Sequence, residues 1–209
     1  MNTQKPLEIG ITGGIGSGKS TVSHIFSILD IPIYDADSRA KYVMAHNEDL
    51  KKAIQLHFGQ EAYYPNGDLN RAFLAQQVFN DSEKVKTINS LVHPEVAKDY
   101  LEWLSEQKSP YIIREAALMI ESGSHKLLDK LITVFAPEKL RMERVKKRDP
   151  QRNEAEIRAI IAKQISEEEK LQLADFVIYN DEEHPLIPQV LALHHHFIEA
   201  FEKNNDKNQ

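Results

Sequence analysis

Cysteine is absent from the 209-residue sequence, which excludes disulfide bonds and metal sites built from thiolates. Long apolar runs are absent too: none reaches the roughly 18 residues that predict a membrane-spanning helix, and residues 1–6 are too polar for a secretory signal. Positive charge is not in excess, since the sequence has 26 lysine and arginine residues against 32 aspartate and glutamate residues, a net charge of −6. Such a charge gives no general attraction to nucleic acid. We therefore expect a cytoplasmic protein, ordinary in its 41% hydrophobic content, with neither a membrane nor a nucleic acid as its partner.

The most informative segment is residues 13–20 (GGIGSGKS), which fill all four fixed positions of the phosphate-loop motif G-x-x-x-x-G-K-[ST]. Its glycines let backbone N–H groups surround a polyphosphate. Lys19 can reach the β- and γ-phosphates, and the Ser20 hydroxyl is placed to ligate Mg²⁺. An alternating apolar run precedes the loop and helix-spaced apolar residues follow it, which is the setting that the motif needs. The segment therefore predicts a polyphosphate ligand such as ATP, together with Mg²⁺.

The alternation of apolar strand-like runs with helical patterns indicates an α/β fold. We predict a parallel sheet of the P-loop NTPase type, flanked by helices and carrying a helical substrate-binding insertion and a lid. The strand-like runs lie at residues 7–11, 31–34, 111–113, 131–135 and 176–179.

The gap between the second and third runs is too long for one crossover helix. Its helical patterns, at 37–58, 71–79, 83–91 and 94–106, predict an insertion that covers the active site and binds the second substrate. A later segment rich in arginine and lysine, with a helical face expected over 157–165, predicts a mobile lid over the nucleotide. The expected domains are a nucleotide-binding core (1–36, 108–138 and 174–209), a helical substrate domain (37–107) and a lid (139–173).

Two carboxylates, Asp35 and Asp37, stand directly after the second strand-like run. Ligands of open parallel sheets bind beyond the carboxyl ends of the strands. A second strand beside the first would therefore bring these carboxylates near the γ-phosphate, and an extended chain would place both on one side. Either could orient a substrate hydroxyl or accept its proton, or could instead cap the following helix. Next to a phosphate loop the pattern favours catalysis for Asp37 and leaves both roles open for Asp35.

Other polar residues each have a functional and a structural interpretation. Glu115 follows the third strand, where an acid could hold Mg²⁺ through water or order the substrate, or could face solvent or cap a helix. Arg144 and Arg148 lie one helical turn apart and could clamp phosphoryl oxygens, or form a solvated basic face. His93, before Pro94 and between two helical patterns, carries no functional signal of its own.

One ordered set of short motifs runs through the chain. It consists of residues 12–21, Asp35-Ala36-Asp37, His93-Pro94, Ala136-Pro137, Arg144 with Arg148-Asp149, Gln164, Ala174-Asp175 and Asn180. This set resembles the dephospho-coenzyme A kinase family over roughly residues 7–181, and it is far more specific than the loop, which many NTPases share. The resemblance implies that ATP phosphorylates the ribose 3′-hydroxyl of dephospho-coenzyme A, giving coenzyme A and ADP, in an enzyme with a core, a helical substrate domain and a lid.

The resemblance also implies a role for each matching residue. Asp37 would be the base for the 3′-hydroxyl, and Lys19 with Arg144 would neutralise the transferred phosphoryl group. Ser20 would hold Mg²⁺, and Asn180 would lie near the adenine of ATP. The ATP-binding residues would be Gly14, Gly16, Ser17, Gly18, Lys19, Ser20, Thr21, Arg148 and Asn180, and the substrate-side residues Asp35, Arg71, His93 and Glu115.

The chain departs from the family pattern after the third strand. Glu115 stands where the family commonly has Asp, and Ala117 where it has Pro, so a carboxylate is kept but reaches further. The alternatives are a P-loop kinase of another small molecule, such as shikimate or a nucleotide, and a nucleotide-dependent switch. A guanine-reading Asn-Lys-x-Asp tetrad is absent from the sequence, which argues against a GTP switch. The oligomeric state stays open.

Overall fold

The structure is a computed structural model that describes residues 5–79 and 81–206. It divides into two compact units, the first made of Met1–Asp35 and Gln107–Gln209 and the second of Ala36–Glu106. Among the helices of the described residues, none is both long and apolar enough to cross a membrane. The division of function among a core, a substrate domain and a lid stays a prediction.

Five strands and nine α-helices are found in the described residues, with two short 3₁₀ helices at Gln60–Ala62 and Ser124–Leu127. The strands are β1 (Leu7–Thr12), β2 (Ile33–Asp35), β3 (Tyr111–Glu115), β4 (Lys130–Phe135) and β5 (Phe176–Tyr179). The helices are α1 (Lys19–Ile28), α2 (Ala36–His46), α3 (Glu48–Phe58), α4 (Arg71–Val78), α5 (Ser82–Ser105), α6 (Glu138–Arg148), α7 (Glu154–Ala162), α8 (Glu167–Leu173) and α9 (Leu186–Asp206).

The first unit is built around a parallel sheet with the strand order β2-β3-β1-β4-β5. Ile9 and Ile11 of β1 point into a core with Phe26 of α1 and Phe197 of α9, and all four are buried. The nearly continuous apolar strands are those expected of a sheet covered on both faces. The predicted parallel sheet flanked by helices is confirmed.

The strand order corrects one expectation, because β2 does not lie beside β1. β3 lies between them, with Glu115 paired to Ile11 on one side and to Asp35 on the other. The apolar residues of β3 are fully buried, as expected of a strand with a hydrogen-bonded neighbour on each side. The short β2, with exposed Asp35 at its end, suits the edge of a sheet. Since neighbouring strands are about 4.8 Å apart, Glu115 rather than Asp35 is the acid next to the strand that carries the phosphate loop.

One core contact joins the third strand to the last helix. The hydroxyl of buried Tyr111 lies 2.7 Å from Nδ1 of His194. Burial raises the pKa of Tyr111 above its ordinary value. Burial, with the charge of neighbouring His195 as a smaller cause, lowers the pKa of His194. The pair therefore favours the neutral form of both groups.

In the second unit, the helix expected over 37–58 is two helices. Asn47 interrupts it, and its side chain accepts a hydrogen bond of 3.0 Å from the backbone N–H of Leu50. This is N-capping, which satisfies a donor that the first turn of α3 would otherwise leave unpaired. Glu48 and Asp49 in that first turn add favourable charge at the helix N-terminus.

The two helices expected on either side of His93-Pro94 are one helix, the 24-residue α5, with Pro94 inside it. Proline removes a helical hydrogen bond and usually ends or kinks a helix. Here the helix continues past Pro94 with the same face buried, as shown by buried residues at every fourth position on both sides of the proline. They are Val92, Val96, Tyr100 and Leu104.

Candidate active site

The phosphate loop joins the end of β1 to the start of α1 at the carboxyl edge of the sheet. Gly16 and Gly18 have φ angles of 79° and 94°, in the left-handed region that favours glycine. A Cβ atom at Gly16 would collide with the backbone of Arg141, and one at Gly18 would collide with the side-chain amide of Asn180. The loop therefore packs so closely against later segments of the first unit that only glycine fits at these two positions.

The loop leads directly into the N-terminus of α1, whose first residue is Lys19. Nζ of Lys19 donates to the carbonyl oxygens of Gly13 (3.0 Å) and Gly14 (3.4 Å), so its positive charge lies over the loop. Ser20 and Thr21 follow in the first turn with exposed side chains. A helix N-terminus offers unpaired N–H groups and the positive end of the helix dipole, which together suit a polyphosphate.

Asn180, which directly follows β5, contacts the phosphate loop. Its Nδ2 donates a 2.8 Å hydrogen bond to the carbonyl oxygen of Ser17. Its backbone carbonyl accepts a 2.9 Å hydrogen bond from Nη1 of Arg144, and its Oδ1 lies 3.4 Å from Nη2 of the same guanidinium. Asn180 thus links Arg144 to the loop, while its predicted place beside adenine stays a prediction.

The turn after Asn180 is fixed by Asp181. The Asp181 carboxylate accepts hydrogen bonds from the backbone N–H groups of Glu183 (3.1 Å) and His184 (3.0 Å), and it contacts the ring of His184. Burial alone would raise the pKa of Asp181, but the hydrogen bonds from His184 and Glu183 hold it below its ordinary value. At neutral pH this carboxylate is therefore ionised and keeps the turn closed.

Two predicted site acids lie on the strand ends beside β1. Glu115 is half-buried and faces Ile11 in the sheet, and exposed Asp35 faces Glu115 one strand further out. A third acid, Glu121, accepts a 3.0 Å hydrogen bond from the backbone N–H of Ile165. Glu121 therefore fixes the segment between α7 and α8. Of the two predicted acids, Glu115 is the one on the strand next to β1.

The two arginines predicted to act from the lid have different surroundings. Arg144 is joined to the phosphate loop through Asn180. Arg148, at the end of α6, donates a 2.9 Å hydrogen bond from Nη2 to Asp149, which also pairs with Arg152. The hydrogen bond from Arg148 holds the pKa of Asp149 below its ordinary value. The structure thus places Arg144 beside Asn180, which contacts the loop, and Arg148 in a charged cluster at the helix end.

The remaining predicted residues belong to the helical unit. Asp37 lies in the first turn of α2, which begins at Ala36, so the chain is not extended from Asp35 to Asp37 and the alternation that would place both on one side does not apply. Exposed Arg71 is the first residue of α4, and exposed His93 lies in the middle of α5. A carboxylate in the first turn also stabilises a helix, so Asp37 has a structural role whether or not it is catalytic.

Gln164 holds the loop from the segment between α7 and α8, a role that the sequence did not reveal. Its Oε1 accepts a 2.9 Å hydrogen bond from the backbone N–H of Ile15 in the loop. The predicted helical face over 157–165 is wrong at its end, since α7 stops at Ala162 and leaves Gln164 in the connection to α8. The Ile15 side chain is packed against an apolar cluster of Met142, Val145 and Ile157.

Arg141, Glu167 and Lys170 were also missed; they lie beside the loop, with Arg141 and Lys170 buried and Glu167 half-buried. Nη1 of Arg141 is 3.6 Å from Oε1 of Glu167, which accepts a 2.7 Å hydrogen bond from Nζ of Lys170. The available signal was the position of Arg141 one helical turn before Val145, on the buried face of α6. A charged side chain at such a position is uncommon unless it is paired.

Known proteins match this chain over almost its whole length. A family model described as dephospho-CoA kinase matches residues 7–185. A Bacteroides fragilis protein named dephospho-CoA kinase is 41% identical over 188 residues, which cover 90% of this chain and 91% of that protein. A solved Thermus thermophilus structure has a TM-score of 0.80 at 32% identity and covers 94% of this chain and 98% of its own. A Bacteroides thetaiotaomicron shikimate kinase, with a TM-score of 0.51 at 14% identity over 92% of this chain and 98% of its own, shares the fold alone.

Proposed function

The chain belongs to the dephospho-coenzyme A kinase family of phosphotransferases, and we propose which of its residues carries out each part of the phosphoryl transfer. The reaction transfers the γ-phosphoryl group of ATP to the ribose 3′-hydroxyl of dephospho-coenzyme A, giving coenzyme A and ADP, in the last step of coenzyme A biosynthesis. The observation that carries the proposal is the phosphate loop at the carboxyl edge of the sheet, leading into the N-terminus of α1. Phosphoryl transfer depends mainly on positioning and on charge stabilisation.

The ATP phosphates bind to the backbone N–H groups and side chains of residues 14–21. The left-handed glycines and the start of α1 support this placement. Lys19 now donates to two neutral carbonyl oxygens. A phosphate oxygen is charged and therefore a stronger acceptor, so the ammonium group moves from the loop carbonyls to the β- and γ-phosphates when ATP binds.

Arg144 stabilises the charge that develops on the transferred phosphoryl group. The support is its link through Asn180 to the loop, which holds the guanidinium at the same edge. A planar guanidinium matches phosphoryl oxygens with two donors at once. Arg148 joins the phosphates when the lid (139–173) closes, after leaving Asp149. Lid closure also excludes water, which would otherwise compete as the acceptor.

Asp37 is the base that orients the 3′-hydroxyl and accepts its proton, and Asp35 assists it. The support is its position two residues beyond the carboxyl end of β2, the edge at which ligands of parallel sheets bind. Asp37 is also exposed, as a residue that meets a substrate must be before the substrate binds. An alternative role as a helix-stabilising charge predicts a loss of stability on mutation instead of a loss of turnover.

Mg²⁺ is the expected partner of the phosphates, and the oxygen groups at this edge fit a hard cation. The Ser20 hydroxyl is exposed in the first turn of α1, and the Glu115 carboxylate ends the strand beside β1. Ser20 would hold the ion directly and Glu115 would hold it through water. The bound ion supplies positive charge that offsets the negative charge of the phosphates.

Dephospho-coenzyme A binds to the helical substrate domain (37–107), with Asp35, Arg71, His93 and Glu115 on its side of the site. The exposure of Arg71 at the start of α4 and of His93 on α5 supports this assignment, since both are open to a ligand. We also place the enzyme in the cytoplasm, where ATP is available.

The experiment that tests the function is ADP release with Mg·ATP and dephospho-coenzyme A. Shikimate, nucleoside monophosphates and a blank without acceptor are run in parallel, and the product is weighed by mass spectrometry. ADP release stimulated only by dephospho-coenzyme A, with a product one phosphate heavier, is the expected result. Stimulation by shikimate or a nucleotide instead would overturn the substrate, and no stimulated release would contradict the kinase activity.

A further inference from the structure

A cluster of three charged side chains lies against the phosphate loop, and the proposed function does not use it. The side chain of Arg141 on α6 is 3% exposed and that of Lys170 on α8 is 1% exposed. Glu167 lies between them at 16% exposure, 3.6 Å from Nη1 of Arg141 and 2.7 Å from Nζ of Lys170. We call these three residues the charged triad.

The triad is in contact with the loop itself. A Cβ atom at Gly14 would collide with Nη1 of Arg141 and would lie 2.8 Å from Oε1 of Glu167. A Cβ atom at Gly16 would collide with the backbone of Arg141. The guanidinium therefore rests directly on the backbone of the segment that surrounds the phosphates.

The charges of the triad do not balance. Arg141 and Lys170 contribute two positive charges, and among the described residues Glu167 is the carboxylate that pairs with them. The other acceptors are neutral: Ala136 O accepts from Nε of Arg141 at 3.1 Å, and Ile165 O accepts from Nζ of Lys170 at 2.8 Å. Nη1 of Arg141 and Oε2 of Glu167 are both buried without a hydrogen-bond partner in the described part of the chain, so the excess comes from the count of two cations against one carboxylate. One positive charge is therefore left over inside the protein.

An uncompensated buried charge is unfavourable unless an opposite charge comes near it. We propose that the charged triad is a counter-charge for the nucleotide: its excess positive charge, packed against the loop at Gly14, attracts the β- and γ-phosphates that the loop binds. Arg141 is then a positioning residue that acts without touching the ligand. Screening by solvent is weak at a buried site, so one charge within several ångströms changes the affinity measurably. The inference rests on the proposed binding of ATP at the loop.

A purely structural role makes a different prediction. If the triad only held α6 and α8 against the loop, any substitution that weakened it would lower both stability and nucleotide affinity. If the triad is a counter-charge, neutralising a cation and neutralising the anion should change nucleotide affinity in opposite directions. Removing a cation should weaken nucleotide binding, whereas neutralising Glu167 should raise the buried positive charge and keep or strengthen binding while it destabilises the free protein.

The test compares Arg141→Met with Glu167→Gln in the full chain. Equilibrium binding of ATP, ADP and AMP is measured by titration calorimetry with Mg²⁺ present, and thermal unfolding is followed without nucleotide. Lys147→Met and Glu168→Gln are the matched controls, because they remove the same charges from exposed positions on the same two helices. Neither control is expected to change nucleotide affinity.

Arg141→Met is expected to raise the dissociation constants of ATP and ADP on the order of tenfold, and that of AMP by less. Glu167→Gln is expected to lower the unfolding midpoint without nucleotide and to bind ATP at least as tightly as the parent. Arg141→Lys keeps the charge with a shorter reach and should restore much of the ATP affinity. If Arg141→Met does not fold, Glu167→Gln alone decides between the two roles.

Weaker ATP binding by Glu167→Gln would overturn the proposal, as would equal weakening of ATP and AMP by Arg141→Met. A parent protein that binds no ATP at all would contradict the proposed nucleotide site itself, which distinguishes that failure from failure of the triad.

Discussion

The Asn180→Ala substitution removes the tie between the end of β5 and the phosphate loop. In the parent, Nδ2 of Asn180 donates to Ser17 O at 2.8 Å. Alanine leaves this carbonyl without its side-chain donor. The acceptor for Nη1 of Arg144 is the backbone carbonyl of residue 180, so that 2.9 Å hydrogen bond can remain. The substitution therefore perturbs the loop more than it perturbs Arg144.

The expected size follows from the lost hydrogen bond. Leaving a largely buried acceptor without its donor costs about 1–3 kcal/mol. The 3.4 Å contact from Arg144 to Oδ1 is too long to add much. ATP requires one loop conformation, and without Asn180 the free loop samples others that binding must then exclude. If most of the cost falls on binding, kcat/KM for ATP decreases by about 5- to 150-fold.

Steady-state kinetics with ATP varied at saturating dephospho-coenzyme A measure this loss, together with thermal unfolding of each variant. Gln189→Ala is the matched control. Gln189 makes two side-chain hydrogen bonds to the backbone of Tyr179, the residue before Asn180, at 2.8 and 2.9 Å. The Gln189→Ala substitution should lower stability and leave the KM for ATP unchanged, because the Gln189 side chain makes no contact with the loop in the described structure.

A kcat/KM for ATP within twofold of the parent in Asn180→Ala would refute the reasoning. The loop would then hold its conformation without Asn180. An equal loss in Gln189→Ala would attribute the effect to the end of β5 as a whole instead of to the contact with Ser17.

Three further predictions concern single residues. Lys19→Met removes the charge that the phosphates need and should lower kcat by about 10²- to 10³-fold in a steady-state assay, and a near-parental rate would contradict its role. Asp37→Asn should lower kcat by about 10²- to 10⁴-fold while ATP binding by calorimetry stays nearly unchanged, whereas a loss of stability with little loss of kcat would identify a structural charge. His194 has a pKa held below 6.5 in the folded protein, so as pH falls below 6.5 the unfolded chain takes up a proton that the folded chain does not, and stability falls. In denaturant titrations, the free energy of unfolding should therefore fall more steeply below pH 6.5 for the parent than for His194→Gln. The same pH dependence in both proteins would contradict this role of His194.

The fold class followed from local patterns because each strand is a short apolar run bounded by polar residues. The strand order did not, because pairing joins segments far apart in sequence. The chain leaves β2 at Asp35 and returns to the sheet only at Tyr111 of β3, and no local signal states that β3 enters between β1 and β2. The sequence also suggested a break at Pro94, whereas packing of the continuous buried face of α5 outweighed the local cost of proline.

For the candidate site, the phosphate loop was predictable because its glycines are needed for backbone geometry that other residues rarely adopt. The supports of the loop were not predictable from spacing. Gln164 reaches Ile15 across 149 positions and Asn180 reaches Ser17 across 163. Such contacts depend on how α7 ends and where β5 lies in the sheet, and both are set by the tertiary structure.

The strand order has a consequence during synthesis of the chain. β1 emerges from the ribosome before the other four strands, yet it is the central strand and needs β3 on one side and β4 on the other. Between Thr12 and Tyr111 the ribosome must add α1, β2 and the whole helical unit, which takes roughly 5–20 s at common elongation rates. Throughout that time the apolar β1 has neither neighbour, and the nascent chain carries an open strand edge beside an unsupported phosphate loop. We expect chains arrested before residue 111 to aggregate or to recruit chaperones, and the nucleotide site to form only after β5 has left the ribosome.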